Sequence, residues 1–169
     1  MDATPTLVEI ADALAAVGLE AILIGNAAAA LHGAPVTTID FDFLYRASKI
    51  NEGKIRRFAA SLGAELTQPF AAVSSVYRIY RPNPELLVDL VCQIHGGSFN
   101  GFRSRSEAIE ISGRRVVVAS LADIIKSKKE ANRPKDLAVL YVLEKTLEEH
   151  SKSEAAEVRR TTRGDAPGQ

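Results

Sequence analysis

Apolar residues recur at helical spacing through TLVEIADALAAV, residues 6–17, with Leu7, Ile10, Leu14 and Val17 on one face and Gly18 at the stop. The pattern predicts an amphipathic opening helix. The short apolar run EAILIG then reads as a buried strand, and NAAAALHG as a short helix closed by Gly33. In TTIDFDFLYRA the period drops to two. Ile39, Phe41, Phe43 and Tyr45 alternate with Thr38, Asp40, Asp42 and Leu44, which predicts a strand with both carboxylates on one face. NEGKIRRFAASLG returns to helical spacing, with Ile55, Phe58, Ala59 and Leu62 inward. Two further strands, VSSVYRIYRP and PELLVDLVCQI, flank a turn at Pro82, Asn83 and Pro84 and are expected to pair as a hairpin.

The second half follows the same logic. HGGSFNGF reads as a mobile glycine-rich loop, and EAIEISGRRVVVAS as a hairpin turning at Ser112 and Gly113. Ser120 and Asp123 form a capping box for the helix LADIIKSKKEA, and Pro134 suits the first turn of a last helix, PKDLAVLYVLEKTLEE. Past His150 large apolar residues almost vanish. Residues 1–150 are therefore expected to form one domain, and residues 151–169 a disordered tail.

Composition narrows the function classes. Lys plus Arg and Asp plus Glu are both 21 in 169 residues, so no global basic field argues for nucleic acid, and any basic site must be local. Arg78, Arg81, Arg103, Arg105, Arg114 and Arg115 are candidates for an RNA-binding face or for dispersed surface charge. A single cysteine, Cys92, excludes an internal disulfide and a cysteine-rich metal site, and it lies near His95 in no metal-ligand spacing. The opening MDATPTLVEI lacks the pattern of a secretory leader. The uncharged stretch from Ala21 to Ile39 is broken by Gly25, Asn26, Gly33 and Pro35, so neither a membrane span nor export is expected, and the location is read as cytoplasmic.

The candidate chemistry lies in the aspartates. Strand residues two apart share a face about 6.5 to 7 Å apart, close enough for Asp40 and Asp42 to converge on metal ions. Asp89 stands among Leu86, Leu87, Val88, Leu90 and Val91, where a carboxylate is costly unless a cation or hydrogen-bond donors meet it. Together the three make an oxygen-rich site suited to Mg²⁺; the plain alternative is that each is exposed or ion-paired with a neighbouring arginine. Gly25 and Asn26 stand where a helix begins, a place for phosphate or simply a turn with its cap. Lys128 falls on the apolar stripe of Leu121, Ile124 and Ile125, so it points inward. His32 reads as a helix-end residue. Asp136 suits the helix dipole or a site, and Arg133 and Lys135 are phosphate candidates.

These residues resemble a known family. IGNAAAALHGAPVTTIDFDFLY is similar to the signature of the nucleotidyltransferase superfamily, a Gly-Ser or Gly-Gly turn before a helix, then a threonine and an Asp-x-Asp strand. LADIIKSKKEANRPKDLAVLYVLE resembles the helical segment of AbiEii-type toxins with its Arg-Pro-Lys-Asp pattern, and the likeness extends over residues 20–148. Two positions depart from the pattern, Asn26 in the turn and Val139, where relatives often repeat an aspartate. The resemblance implies an α/β (α+β) nucleotidyltransferase-like fold, a mixed twisted sheet with flanking helices and a C-terminal helical pair. It implies an enzyme that moves a nucleoside monophosphate from NTP to tRNA or another RNA, as the toxin of a toxin-antitoxin or phage-defence pair with a cognate antitoxin. Asp40, Asp42 and Asp89 would bind Mg²⁺ and act in catalysis with Lys128, while Gly25, Asn26 and Asp136 would serve the nucleotide. The alternatives are a non-catalytic nucleotide- or partner-binding member and a transferase acting on a small molecule such as an antibiotic.

Overall fold

The computed structural model describes residues 4–67 and 76–164. Helix α1 (Thr4–Val17) buries Leu7, Ile10 and Ala13. Strand β1 (Ala21–Ile24) runs directly into α2 (Gly25–Leu31), which buries three alanines. After β2 (Phe41–Tyr45), helix α3 (Lys49–Ser61) starts at Ser48, whose side chain accepts from the Asn51 N–H. Then come β3 (Glu65–Thr67) and the hairpin of β4 (Val76–Pro82) and β5 (Glu85–Val91). The short α4 (Phe99–Arg105) precedes the second hairpin, β6 (Glu107–Ile111) and β7 (Arg114–Val118), and the chain closes with α5 (Leu121–Ala131) and α6 (Pro134–Gly164).

Among the described residues the strands form one seven-stranded mixed sheet in the order β3-β4-β5-β2-β1-β7-β6. Two parallel pairings decide the topology: β2 with β5, which sets Asp42 opposite Asp89, and β1 with β7. Consecutive residues Ile22, Leu23 and Ile24, and likewise Phe43, Leu44 and Tyr45, are buried, as strands covered on both faces require. Helix α1 packs on α3 and β7, and α2 packs on α5, which packs on α6. This is the mixed α/β fold with a C-terminal helical pair that the sequence predicts.

Two expectations differ from what is observed. The strand expected over residues 37–47 spans only Phe41–Tyr45, and Ile39, expected inward, is 87% exposed. Ahead of the strand the Thr38 hydroxyl lies 2.8 Å from both Oδ1 and the carbonyl oxygen of Asp40, a local turn bond that competes with strand pairing. The loop expected at HGGSFNGF instead carries α4, anchored by buried Phe102, by Ser98 accepting from the Gly101 N–H, and by Arg105 on Asp123; seven residues with an internal glycine leave no periodic trace. Helix α6 runs on to Gly164, with residues 151–159 exposed and the pairs Lys145–Glu148 and Lys152–Glu149 along its surface. Residues 1–3, 73–75 of the expected strand, and 165–169 of the expected tail lie outside the described residues.

Candidate active site

Two carboxylates from one chain segment meet a third across the sheet. Asp40 ends the approach to β2, Asp42 lies on it, and β5 runs parallel beside it with Asp89 opposite Asp42. One carboxylate oxygen from each of the three lies within 4.8 Å of the others, and among the described residues no other three such side chains converge in this way. Asp89 is buried, whereas Asp40 and Asp42 are partly exposed and line a pocket of about 370 Å³.

The turn at the end of β1 is shaped to that cluster. Gly25 has φ +69°, and a Cβ placed on it would lie 2.6 Å from Asp42 Oδ2, so only glycine admits the carboxylate there. Next to it, Asn26 lines the same pocket, and its Oδ1 is buried with no hydrogen-bond partner. An unpaired buried polar atom costs roughly 1–3 kcal/mol, a cost relieved by a ligand that supplies the missing partner.

Cationic side chains line the same pocket. Lys128, its side chain 11% exposed, donates to Asp136 Oδ1 at 3.2 Å, and Arg133 Nε donates to Asp136 Oδ2 at 2.5 Å. Burial pushes Asp136 up, but the hydrogen bonds and charges of Arg133 and Lys128 outweigh it and hold the carboxyl below its ordinary range. Lys135 lines the pocket as well. On the acidic side, burial, then the charges of Asp40 and Asp89, push Asp42 up to about 6, against the pull of Lys135 and Lys128. Asp40 and Asp42 thus share one pocket with three cationic side chains, an arrangement that accommodates an anion bridged by a cation.

The structure therefore brings together Gly25, Asn26, Asp40, Asp42, Asp89, Lys128 and Asp136. Other residues have structural partners. His32 Nε2 bonds the Ala119 carbonyl at 2.8 Å, as a helix-end residue does. Of the six arginines considered for RNA, Arg81 pairs with Glu9, Arg105 with Asp123 and Arg114 with Asp12. Arg78 is the neighbouring arginine that the plain alternative allowed for Asp89, though the sequence reading did not name it. Its Nε and NH2 donate to both oxygens of Asp89, at 2.8 and 2.6 Å. A signal for it exists, because a hairpin turning at Asn83 and Pro84 places residue 78 opposite residue 89 by counting.

The donor set fits a divalent metal ion. Three carboxylates suit a hard cation, the orphaned Asn26 oxygen adds a further donor in the pocket, and the glycine cradle keeps Asp42 clear of a side chain.

No protein-family model and no curated protein sequence matches the chain. Solved structures do match in fold. The antibiotic-resistance factor ANT(2″)-Ia, solved in complex with adenylyl-2″-tobramycin, aligns with TM-score 0.59 at 17% identity, over 94% of this chain and 98% of that one. A putative nucleotidyltransferase from Thermotoga maritima aligns with TM-score 0.55 at 17% identity, over 96% of this chain and 92% of that one. A nucleotidyltransferase-like protein from Paracoccidioides brasiliensis aligns with TM-score 0.51 at 18% identity, over 82% and 73%. The fold is thus nucleotidyltransferase-like.

Proposed function

We propose that the chain is a Mg²⁺-dependent nucleotidyltransferase that moves a nucleoside monophosphate from NTP to a hydroxyl of an acceptor. The observation that carries this reading is the clustering of Asp40, Asp42 and Asp89, the first two of which line a pocket also lined by Lys128, Arg133 and Lys135. Asp40 and Asp42 would hold the ion. Mg²⁺ bound there supplies charge neutralisation and orientation for the phosphates. Gly25 leaves room at the turn, and the Asn26 side chain hydrogen-bonds the nucleotide or a water on the ion. Lys128, kept in place by Asp136, and Lys135 stabilise charge on the triphosphate as the acceptor oxygen bonds to the α-phosphorus and pyrophosphate leaves.

The resemblance of residues 121–144 to AbiEii-type toxins supports an RNA acceptor such as a tRNA 3′ end, a cytoplasmic setting and a cognate antitoxin. A second reading, a small hydroxylated acceptor, draws on the ion-pairing of Arg78, Arg81, Arg105 and Arg114 within the fold, which leaves fewer arginines for RNA. The fold's likeness to ANT(2″)-Ia is compatible with it.

The test is isothermal titration of the four NTPs with and without Mg²⁺, on wild type and on Asp40→Ala/Asp42→Ala. Mg²⁺-dependent binding that the double variant loses is the expected outcome. Folded wild-type protein that binds no NTP would favour a non-catalytic, partner-binding role instead.

A further inference from the structure

Asp89 is one of three clustered carboxylates, yet it differs from the other two in what meets it. Asp40 and Asp42 line the pocket; Asp89 is not among its lining residues, and its side chain is 10% exposed. Its partner comes from the neighbouring strand. Arg78 on β4 is in register with Asp89 on β5, so the guanidinium reaches across the ladder and its fork takes both carboxylate oxygens, at 2.8 and 2.6 Å. This is the strong two-point geometry that an arginine makes with a carboxylate and a lysine does not. The hydrogen bonding that Arg78 donates to Asp89 and the charge of Asp89, then, against burial, the charges of Asp40 and Asp42, hold Arg78 in its charged form. One guanidinium therefore answers to the whole cluster.

Building on the metal-dependent reading above, we propose that Arg78 is a fixed cation of the site: by occupying both oxygens of Asp89 it limits the cluster to a single divalent ion, held by Asp40 and Asp42. Three carboxylates less one guanidinium leave two negative charges, which one divalent ion balances. A second ion ligated by Asp89 would have to share an oxygen with the guanidinium and sit beside its positive charge; the Asp89 side chain is 10% exposed, and although solvent reaches the Arg78 side chain, both carboxylate oxygens are already engaged. Arg78 is thus a positioning residue. It acts through Asp89, holding that carboxylate away from the pocket and leaving Asp40 and Asp42 to present the metal face.

Mn²⁺ provides the test, because two Mn²⁺ ions bridged by carboxylates about 4 Å apart couple magnetically and one alone does not. Full-length protein is loaded with Mn²⁺ and a non-hydrolysable NTP analogue, and bound metal is counted by equilibrium dialysis with the spectrum recorded by electron paramagnetic resonance. Wild type is expected to hold about one ion per chain with an uncoupled spectrum. Arg78→Met keeps the aliphatic stem and removes the charge, and is expected to hold about two ions with a coupled spectrum. Adding Asp89→Asn to it should return the count to about one. Two coupled ions in wild type, or one in a folded Arg78→Met, would overturn the inference while the metal-dependent reading stands. No retained Mn²⁺ in folded wild type would overturn both. If Arg78→Met fails to fold, the wild-type count decides alone.

Discussion

At the residue scale, Asp42 works against the stability of the free protein. Burial first, then its two carboxylate neighbours, raise it to about 6 from an ordinary value of 3.8. A carboxyl raised on folding is costly when ionised. The cost is present in full above about pH 6 and is relieved as the pH falls from there toward 3.8, which at 1.36 kcal/mol per pH unit is about 3 kcal/mol. Asp42→Asn is therefore expected to raise the unfolding temperature of metal-free protein at pH 7.5 and to remove the gain in stability between pH 7 and pH 5. The same variant should lose the rise in unfolding temperature that the proposed function expects Mg²⁺ to give wild type. Thermal unfolding with and without Mg²⁺ checks both, and a lower metal-free unfolding temperature in the variant would refute the account. Gly25→Ala has the opposite sign. Its positive φ and the 2.6 Å approach of Asp42 Oδ2 to the new Cβ predict a loss of roughly 1–3 kcal/mol and weakened Mg²⁺-dependent NTP binding, measured by urea unfolding and by titration.

At the scale of elements, the junction of α5 and α6 holds the cationic side chains of the pocket. Asn132 in the left-handed region (φ 51°) ends α5, the chain turns through Arg133 and Pro134, and Asp136 in the first turn of α6 reaches back to Lys128 on α5. Asp136 is 2% exposed, so Asp136→Ala leaves a largely buried ammonium without its partner. A loss of about 3 kcal/mol is expected at pH 7. Because Asp136 lies below its ordinary range, its contribution is present above about pH 4 and fades as the pH falls through the lowered value. Urea unfolding at pH 7 and near pH 3 should accordingly show a larger wild-type advantage at the first than at the second. Equal advantage at both would mean that packing, and not the ion pair, is what the substitution removes.

At the scale of the whole molecule, the core and pocket are complete before the last turns of α6, whose residues 151–159 are exposed. Removing everything after His150 is expected to shift the unfolding temperature by no more than about 2 °C and to leave Mg²⁺-dependent NTP binding unchanged. Calorimetry and titration on the shortened chain check this; a large drop would assign the exposed helix a stabilising contact. Both hairpins and most elements, though not α4 or β3, follow from the sequence alone, because period, turn residues and caps are local: Ser112 and Gly113 turn β6 into β7, and Ser120 caps Asp123 at 3.2 Å. Lys128 could be read as inward from its place on an apolar stripe, and Asp40 and Asp42 as neighbours from their spacing. Only the tertiary structure decided that β5 runs parallel to β2 and sets Asp89 beside Asp42, that Asp136 returns to Lys128, and that Arg78 belongs to Asp89 and not to a surface for RNA. Periodicity records which side of an element is buried. It carries no record of which distant element does the burying, and charge partners are chosen at that second step.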